Sequence, residues 1–108
     1  MWILEEYLDA QKRSPFASWF NSLPATEAAR VAHVLARMEA GNFGDTKSVG
    51  EGVQERRIHT GPGYRVYFAH ASGRVVLLLG GGSKRRQRWD ITQAKARWRD
   101  YIQRSSGE

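Results

Sequence analysis

Two arginines, Arg57 and Arg65, stand in strand-like segments on either side of a Gly-Pro-Gly turn at residues 61–63. Segments of this kind joined by a short glycine-rich link predict a β-hairpin. If the hairpin closes around Gly61, residue 57 lies opposite residue 65, and both side chains point to one face of the sheet. Two like charges at about 5 Å repel by about 1 to 3 kcal/mol at surface-like dielectrics, so something must compensate for the pair.

The same face carries three further titratable residues, Glu55, His59 and Tyr67. One explanation of the arginine pair is that Glu55 bridges the two guanidinium groups, or that the register differs by one residue. The other is that the pair binds a phosphate, because the planar guanidinium fork matches phosphate oxygens. Lys84, which follows the next apolar strand, and Lys47, in a glycine-rich segment, are expected to converge on the same concave face.

The charge of the chain favours an anionic partner. The chain has 17 Lys and Arg against 11 Asp and Glu, which gives a formal net charge of +6, and 13 of the 17 are Arg. The charge is concentrated at residues 84–104, where eight side chains are basic and two are acidic. This asymmetry indicates nucleic acid or an acidic protein as the partner.

The composition also disfavours several classes of protein. The chain has no cysteine, and its three histidines show no metal-ligand spacing, so no metal or other cofactor is predicted. A core built from 108 residues leaves little room for a small-molecule cavity, so no small-molecule substrate is predicted. The first six residues are too short and too acidic for a signal peptide, and no apolar run approaches the roughly 20 residues of a membrane span. We therefore expect a cytoplasmic protein without membrane contacts.

The elements that must position these residues form a single predicted domain, residues 1–108. A strand is predicted at 2–8, and a short helix begins at Ser14-Pro15, where serine caps and proline is tolerated. A second helix runs over 24–41 and ends at a glycine. Residues 41–52 contain four glycines and are predicted to form an irregular functional loop.

Three strands and a helix complete the prediction. The strands lie at 53–59, 64–69 and 74–79, and the last is apolar enough to be covered on both faces. The three glycines at 80–82 are expected to end it. A basic helix at 86–103 then gives an α+β fold with the order β-α-α-β-β-β-α and an antiparallel meander.

Two residues do not fit the predicted faces. Arg56 shares an otherwise core-facing side of its strand with Ile58, where its stem is expected to lie on the core while the guanidinium reaches water. Trp89, between Arg88 and Asp90, lies outside the apolar stripe of the last helix. Trp89 is interpreted either as an edge of the core or as a partly exposed anchor for a protein partner.

Several segments of the chain resemble the RelE/ParE toxin superfamily. They are GNFGD at 41–45, VQERRI at 53–58, GPGYRVYF at 61–68, LLLGGGSK at 77–84 and QRWDITQAKARW at 87–98. These segments lie between residues 41 and 98, and the resemblance itself covers nearly the whole chain. They look closest to the phage-derived addiction-module killer proteins, which are grouped with HigB-type toxins.

The resemblance implies two N-terminal helices packed on a small curved antiparallel sheet, followed by a basic C-terminal helix. It implies the toxin of a type II toxin–antitoxin system, neutralised by a HigA-like antitoxin with a helix-turn-helix domain. RelE- and HigB-like toxins cut mRNA in the ribosomal A site, so mRNA and the ribosome are implied partners. The catalytic basic positions of the family fall on Arg57, Arg65 and Lys84, and Tyr67 and Lys47 are further candidates.

The chain departs from this branch beside the implied site. An apolar residue is usual in the branch where Arg56 stands. An acid followed by Lys-Ser-Ser is usual where this chain reads Ser83-Lys84-Arg85-Arg86. The lost acid and the added arginines are expected to strengthen phosphate binding at the expense of selectivity.

The resulting functional prediction is a metal-independent, ribosome-dependent mRNA endoribonuclease that inhibits translation. The 2′-hydroxyl of the RNA would attack the adjacent phosphorus, while Arg57, Arg65 and Lys84 offset the charge on the non-bridging oxygens. Glu55 is the predicted general base and His59 the predicted general acid.

Further RNA contacts are predicted outside the reacting phosphate. Tyr67 is expected to stack on a base of the single-stranded message. The other residues expected to bind RNA are Lys47, Arg85, Arg86, Arg88 and Tyr64. Two alternatives remain at this point, a ParE-like inhibitor of DNA gyrase and a non-catalytic basic protein that binds nucleic acid through charge alone.

Overall fold

The computed structural model describes residues 1–106 as a five-stranded sheet with helices on both faces. The strands are β1 (Ile3–Glu6), β2 (Thr46–Gly50), β3 (Val53–Ile58), β4 (Tyr64–His70) and β5 (Val75–Gly82). The helices are α1 (Pro15–Asn21), α2 (Ala25–Glu39) and α3 (Gln87–Ser106), and a 3-10 turn, Lys84–Arg86, leads into α3. The predicted α+β class and C-terminal helix are confirmed, and residues 107–108 of the predicted domain lie outside the described range. None of the helices within residues 1–106 has the length and apolar character needed to cross a membrane.

The sheet is mixed, with the strand order β1-β5-β4-β3-β2. β1 pairs with β5 in parallel, from Ile3 opposite Val75 to Glu6 opposite Leu78, whereas the other neighbouring strands are antiparallel. The prediction of an antiparallel sheet is therefore wrong for this edge. β5, the strand that pairs with β1, lies far along the chain, so no local turn in the sequence indicates the pairing.

Residues 41–52 are not the irregular loop that their glycines predicted. Thr46–Gly50 forms β2, an edge strand that pairs with β3 and has a bulge between Ser48 and Gly50. Because only one neighbour covers this strand, Lys47 and Ser48 remain exposed and its sequence lacks an apolar alternation. The order is therefore β-α-α-β-β-β-β-α.

Two separate cores lie on the two faces of the sheet. One packs α1 and α2 on β3, β4 and β5, and its fully buried members include Val31, Met38, Val66, Phe68 and Val76. The other lies beneath α3 and includes Val53, Tyr67, Ala69, Leu79 and Ala94. Because side chains alternate along a strand, β4 and β5 supply both cores, which confirms that the 74–79 strand is covered on both faces.

The three glycines at 80–82 do not end β5, as the sequence predicted, but form its last three residues. Each lets a side chain approach the strand. A Cβ built on Gly80 would lie 2.7 Å from Nη1 of Arg97, and one on Gly82 would lie 1.9 Å from Oδ2 of Asp90. A Cβ on Gly81, on the other face, would lie 2.3 Å from Cε3 of Trp19. Because these three positions have no side chains, residues of α1 and α3 can pack directly on the backbone of β5.

The Gly81→Ala substitution is expected to destabilise the fold by about 1 to 3 kcal/mol, because the added methyl group overlaps the Trp19 ring. The free energy of unfolding in urea measures this cost. In a Trp19→Leu background, where the ring is absent, the same substitution should cost less. An equal cost in both backgrounds would contradict the assigned cause.

Candidate functional site

The β3–β4 hairpin has the register that the sequence predicted. Arg57 lies opposite Arg65, and Glu55 lies opposite Tyr67. The alternative of a register shifted by one residue is therefore excluded. The paired arginines stand directly beside the turn that joins the two strands.

A cleft of about 260 Å³ lies at this end of the sheet. Its lining residues come from β3, β4, the turn between them and the 3-10 turn before α3, and they are Arg57, Ile58, His59, Gly63, Tyr64, Arg65 and Lys84. Five of the predicted site residues are therefore together in one cleft. Tyr64 is half-buried there, with its ring edge-on to Trp19 at a centroid distance of 5.9 Å.

Arg65 is held in place from two sides. Its Nη1 donates to the carbonyl oxygen of Gly63 at 2.6 Å, and its Nε lies 3.6 Å from Oε2 of Glu55. Glu55 is fully buried and also accepts a hydrogen bond of 2.8 Å from Nε2 of Gln87 in α3. Since its side chain is only 10 % exposed, Arg65 presents a guanidinium whose position is set before any ligand binds.

Arg57 has a different carboxylate partner. Its Nη2 donates to Oδ1 of Asp45 at 2.8 Å, and its backbone N–H donates to the Asp45 carbonyl oxygen at 2.9 Å. The other carboxylate oxygen of Asp45 contacts Nε2 of His59. The hydrogen bond from Arg57, followed by that from His59, lowers the pKa of Asp45. The prediction that Glu55 bridges the two guanidinium groups is therefore correct only for Arg65. The positive charge of Arg57 is balanced by Asp45 instead.

Lys84 completes the ring of cations around the cleft. Its backbone N–H donates to the carbonyl oxygen of Pro62 at 3.3 Å, which ties the 3-10 turn to the hairpin turn. A Cβ on Gly63 would lie 3.3 Å from both Cβ of Lys84 and Nη1 of Arg65, and Gly63 has a φ of 73°. Only glycine therefore suits this turn. Lys84 is exposed and forms no salt bridge with any residue in the described range.

Two predicted roles do not fit the burial of the residues concerned. Tyr67 is fully buried beneath α3, so it cannot stack on a base of RNA. Burial, reinforced by the negative charges of Glu55 and Asp90, raises the pKa of Tyr67 well above its usual value. Glu55 is equally buried and cannot take a proton directly from a substrate in the cleft. Glu55 instead contacts Arg65 from inside the protein, and Tyr67 belongs to the core beneath α3.

The remaining predicted contacts lie outside the cleft. Lys47 is exposed on β2, opposite Glu55 in the ladder, rather than in an irregular loop. Arg85, Arg86 and Arg88 are exposed around the start of α3. They extend the positive surface from Lys84 but do not line the cleft.

Arg56 departs from the sequence-based expectation. It is only 9 % exposed, and its Nη1 donates to the carbonyl oxygen of Arg57, so the guanidinium does not extend freely into water. It lies so close to Gly44 that a Cβ there would be 2.6 Å from Nη2. Burial lowers the pKa of Arg56, and the charge of Asp45 acts in the opposite direction. Asp45 therefore stands among Arg56, Arg57 and His59.

Sequence reasoning missed Asp45, which accepts a hydrogen bond from Arg57, and Gln87, which donates one to the Glu55 carboxylate beside Arg65. Asp45 comes just before β2 and pairs with a residue 12 positions further on, and no motif spacing reveals that contact. Gln87 is 32 positions from Glu55. Within the described range, no group of three His, Asp or Glu side chains is arranged to hold a metal ion.

Asp90 provides a test of the electrostatics behind the cleft. Its Oδ2 is buried without a hydrogen-bond partner in the described part of the chain, and burial raises its pKa despite the nearby charges of Arg86 and Arg97. Because the pKa of Asp90 is higher in the folded protein than in the unfolded chain, stability falls as pH rises above the ordinary value of 3.8. We expect Asp90→Asn to gain stability relative to the wild type as pH rises from this value towards neutrality, measured by urea unfolding.

The matched control is Asp100→Asn on the same helix. Hydrogen bonds from Tyr7 and Arg104 lower the pKa of Asp100, so its contribution is present at neutral pH and is lost as pH falls. The control should therefore lose stability relative to the wild type at neutral pH and approach it in acid. Parallel pH profiles for the two variants would contradict the burial of Asp90.

Comparison with known proteins places the chain in a family. Residues 18–99 match the model of the phage-derived Gp49-like proteins (DUF891), a region that contains every residue of the cleft. The chain belongs to the Gp49-like family. An uncharacterized protein of Haemophilus influenzae is 47 % identical over 81 residues, which are 74 % of this chain and 82 % of the relative. The Gp49-like family is toxin-like and related to addiction modules.

Proposed function

We propose that this Gp49-like protein is the toxin of a type II toxin–antitoxin system and cleaves mRNA on the ribosome. The observation that supports it most directly is the cleft in which Arg57, Arg65 and Lys84 surround a space of about 260 Å³ beside His59. Three cations around one small cleft suit a phosphate undergoing reaction. The toxin-like character of the family agrees with this proposal.

The arginines would act on the phosphorane-like transition state. Arg65 is nearly buried and oriented by Glu55 and Gly63, so its donors need little reorganisation when charge develops on the non-bridging oxygens. Lys84 is without an acidic partner in the described range and would supply a mobile positive charge. Arg57 would exchange part of its contact with Asp45 for a phosphate oxygen.

The proposed reaction is intramolecular within the RNA. The 2′ oxygen forms a bond to phosphorus, the bond from phosphorus to the 5′ oxygen breaks, and a 2′,3′-cyclic phosphate results. One proton leaves the 2′ oxygen and one reaches the departing 5′ oxygen, so no co-reactant is consumed. We assign the protonation of the departing 5′ oxygen to His59, whose side chain is 73 % exposed at the cleft and whose Nε2 contacts Asp45, and the proton of the 2′ oxygen passes to solvent water. Asp45 acts as a positioning residue.

The openness of the site supports dependence on the ribosome. His59 and Lys84 are exposed to solvent where they line the cleft. In-line attack requires the 2′ oxygen, phosphorus and 5′ oxygen to be aligned, and alignment contributes about 7 kcal/mol or more to such reactions. A ribosome that holds the message in an extended form would supply the alignment that this small cleft does not.

The proposed protein partner is a HigA-like antitoxin with a helix-turn-helix domain. Gp49-like toxins are generally paired with an antitoxin. With a formal net charge of +6, the toxin would favour an acidic partner surface. Both proteins would act in the cytoplasm, where translation takes place.

The experiment that tests the function is a cell-free bacterial translation reaction with added toxin, in which new mRNA 5′ ends are mapped. We expect cuts within translated frames that disappear when ribosomes are withheld. Cuts in naked RNA would contradict the dependence on the ribosome. If no cuts appear and translation continues, a gyrase supercoiling assay would test the alternative of a gyrase inhibitor.

A further inference from the structure

Trp89 is the most exposed tryptophan of the chain. It lies in the first turn of α3 with 51 % of its surface exposed, whereas Trp2, Trp19 and Trp98 are half-buried against the cores. An indole that is half exposed forgoes part of the burial energy that its size offers, and its free surface is available to a ligand.

The surroundings of Trp89 are strongly basic. The guanidinium of Arg86 stacks on the indole, with its Cζ 4.5 Å from the ring centroid. A surface depression of about 650 Å³ surrounds the pair, lined by Arg85, Arg86, Arg88, Trp89, Thr92 and Gln93. None of these lining residues is acidic, and none of the three arginines forms a salt bridge within residues 1–106.

We propose that Trp89, backed by Arg86, is a stacking platform for one base of single-stranded RNA, with Arg85 and Arg88 contacting the flanking phosphates. Aromatic rings and guanidinium planes both stack on bases, and the surrounding cations hold the backbone. Stacking of this kind accepts any base, so the platform contributes affinity and register rather than sequence choice.

The position of the platform links it to the cleft. The 3-10 turn Lys84–Arg86 begins with a residue that lines the cleft and ends with the residue that stacks on Trp89. A strand whose phosphate occupies the cleft therefore reaches the platform within a few nucleotides. In taking RNA as the ligand, the inference rests on the proposed function.

Charge favours RNA over a protein anchored at the same place. The anchor of a protein interface is commonly an aromatic residue surrounded by other apolar contacts that exclude water. Trp89 is instead surrounded by cations and polar side chains, which suit a partner with a regular spacing of negative charge. An acidic protein segment at this site is the competing outcome.

The test measures binding of a short, fluorescently labelled 2′-O-methyl oligonucleotide, which the proposed chemistry cannot cleave. By anisotropy, Trp89→Ala should weaken binding by about 5- to 100-fold, and Trp89→Phe should restore most of the affinity because phenylalanine also stacks. Ile102→Ala, which removes another exposed apolar side chain from α3, is the matched control and should bind as the wild type does.

A second arm replaces the oligonucleotide with an abasic strand of the same length. The abasic strand should bind wild type and Trp89→Ala equally, because only phosphate contacts remain. The inference would be overturned if wild type and Trp89→Ala bound the base-containing strand equally well. It would also be overturned if Trp89→Ala lost as much affinity for the abasic strand as for the base-containing strand, or if the wild type bound neither strand at low salt. A loss of binding to a poly-glutamate peptide, without a loss for RNA, would identify a protein anchor instead.

These results are separable from those for the proposed function. The oligonucleotide assay requires neither the ribosome nor cleavage, whereas the mapping of mRNA ends requires both. Base-dependent binding without ribosomal cuts would reject the nuclease and retain the platform. Ribosomal cuts without base-dependent binding would retain the nuclease and reject the platform.

Discussion

Lys84→Ala is expected to reduce ribosome-dependent mRNA cleavage by about 10²- to 10³-fold, the usual effect of removing one donor that stabilises transition-state charge. Lys84 lines the cleft next to Arg65, and in the described range it has no acidic partner to neutralise it. Its side chain is exposed, so the fold should lose no more than about 0.5 kcal/mol. The measurement is the rate of appearance of new mRNA 5′ ends during translation at saturating toxin.

The control variant is Arg13→Ala, which removes one positive charge from an exposed residue that does not line the cleft. It should cleave at close to the wild-type rate, because long-range attraction to the message changes little when one of 17 basic residues is lost. Equal losses for the two variants would mean that net charge, rather than the cleft, determines activity. A Lys84→Ala variant that cleaves normally would remove Lys84 from the proposed site.

Glu55→Gln is expected to destabilise the fold by about 3 kcal/mol, because it removes one partner of a buried charge pair while preserving the shape of the side chain. Glu55 is fully buried, and its loss of charge leaves the guanidinium of Arg65, 10 % exposed, without compensation. The hydrogen bond from Gln87 would survive, since an amide oxygen also accepts. Urea unfolding at neutral pH gives the free energy directly.

Glu51→Gln is the matched control for this prediction. Glu51 pairs with Lys95 and Arg99, but half of its side chain is exposed, so its ion pairs should contribute at most about 1 kcal/mol. A second test adds Arg65→Ala to Glu55→Gln, which removes the uncompensated cation and should recover part of the lost stability. If the two Gln substitutions cost the same, the buried pair would not stabilise the fold in the way described.

The sequence predicted the hairpin well because its determinants are local. The turn at 61–63 sets the register, and alternation along the strand then places Arg57 beside Arg65. The same reasoning located Lys84 correctly, since it follows a strand that pairs with β4. The nucleus of the candidate site was therefore accessible from spacing alone.

The parts that could not be predicted depend on contacts between distant segments. The compensation of Arg57 by Asp45 and the pairing of β1 with β5 leave no periodic signal in either partner. Burial was also misjudged for Tyr67, because the sequence shows which face a residue points to but not that α3 covers that face. The glycines at 80–82 indicated the end of the strand, although they belong to it and allow side chains of the helices to approach it closely.

The parallel pairing of β1 with β5 has a consequence for how the protein is made. The edge strand at Ile3 must wait for Val75, and closing a loop of that length costs about 4 kcal/mol in chain entropy. The cleft includes Lys84, and Glu55, which contacts Arg65, accepts a hydrogen bond from Gln87. Both Lys84 and Gln87 follow β5 in the sequence, so the cleft cannot be complete until they have been synthesised. Assembly is therefore a late, non-local event. Under the proposed function, a nascent chain would therefore lack the complete cleft until most of its length has been translated.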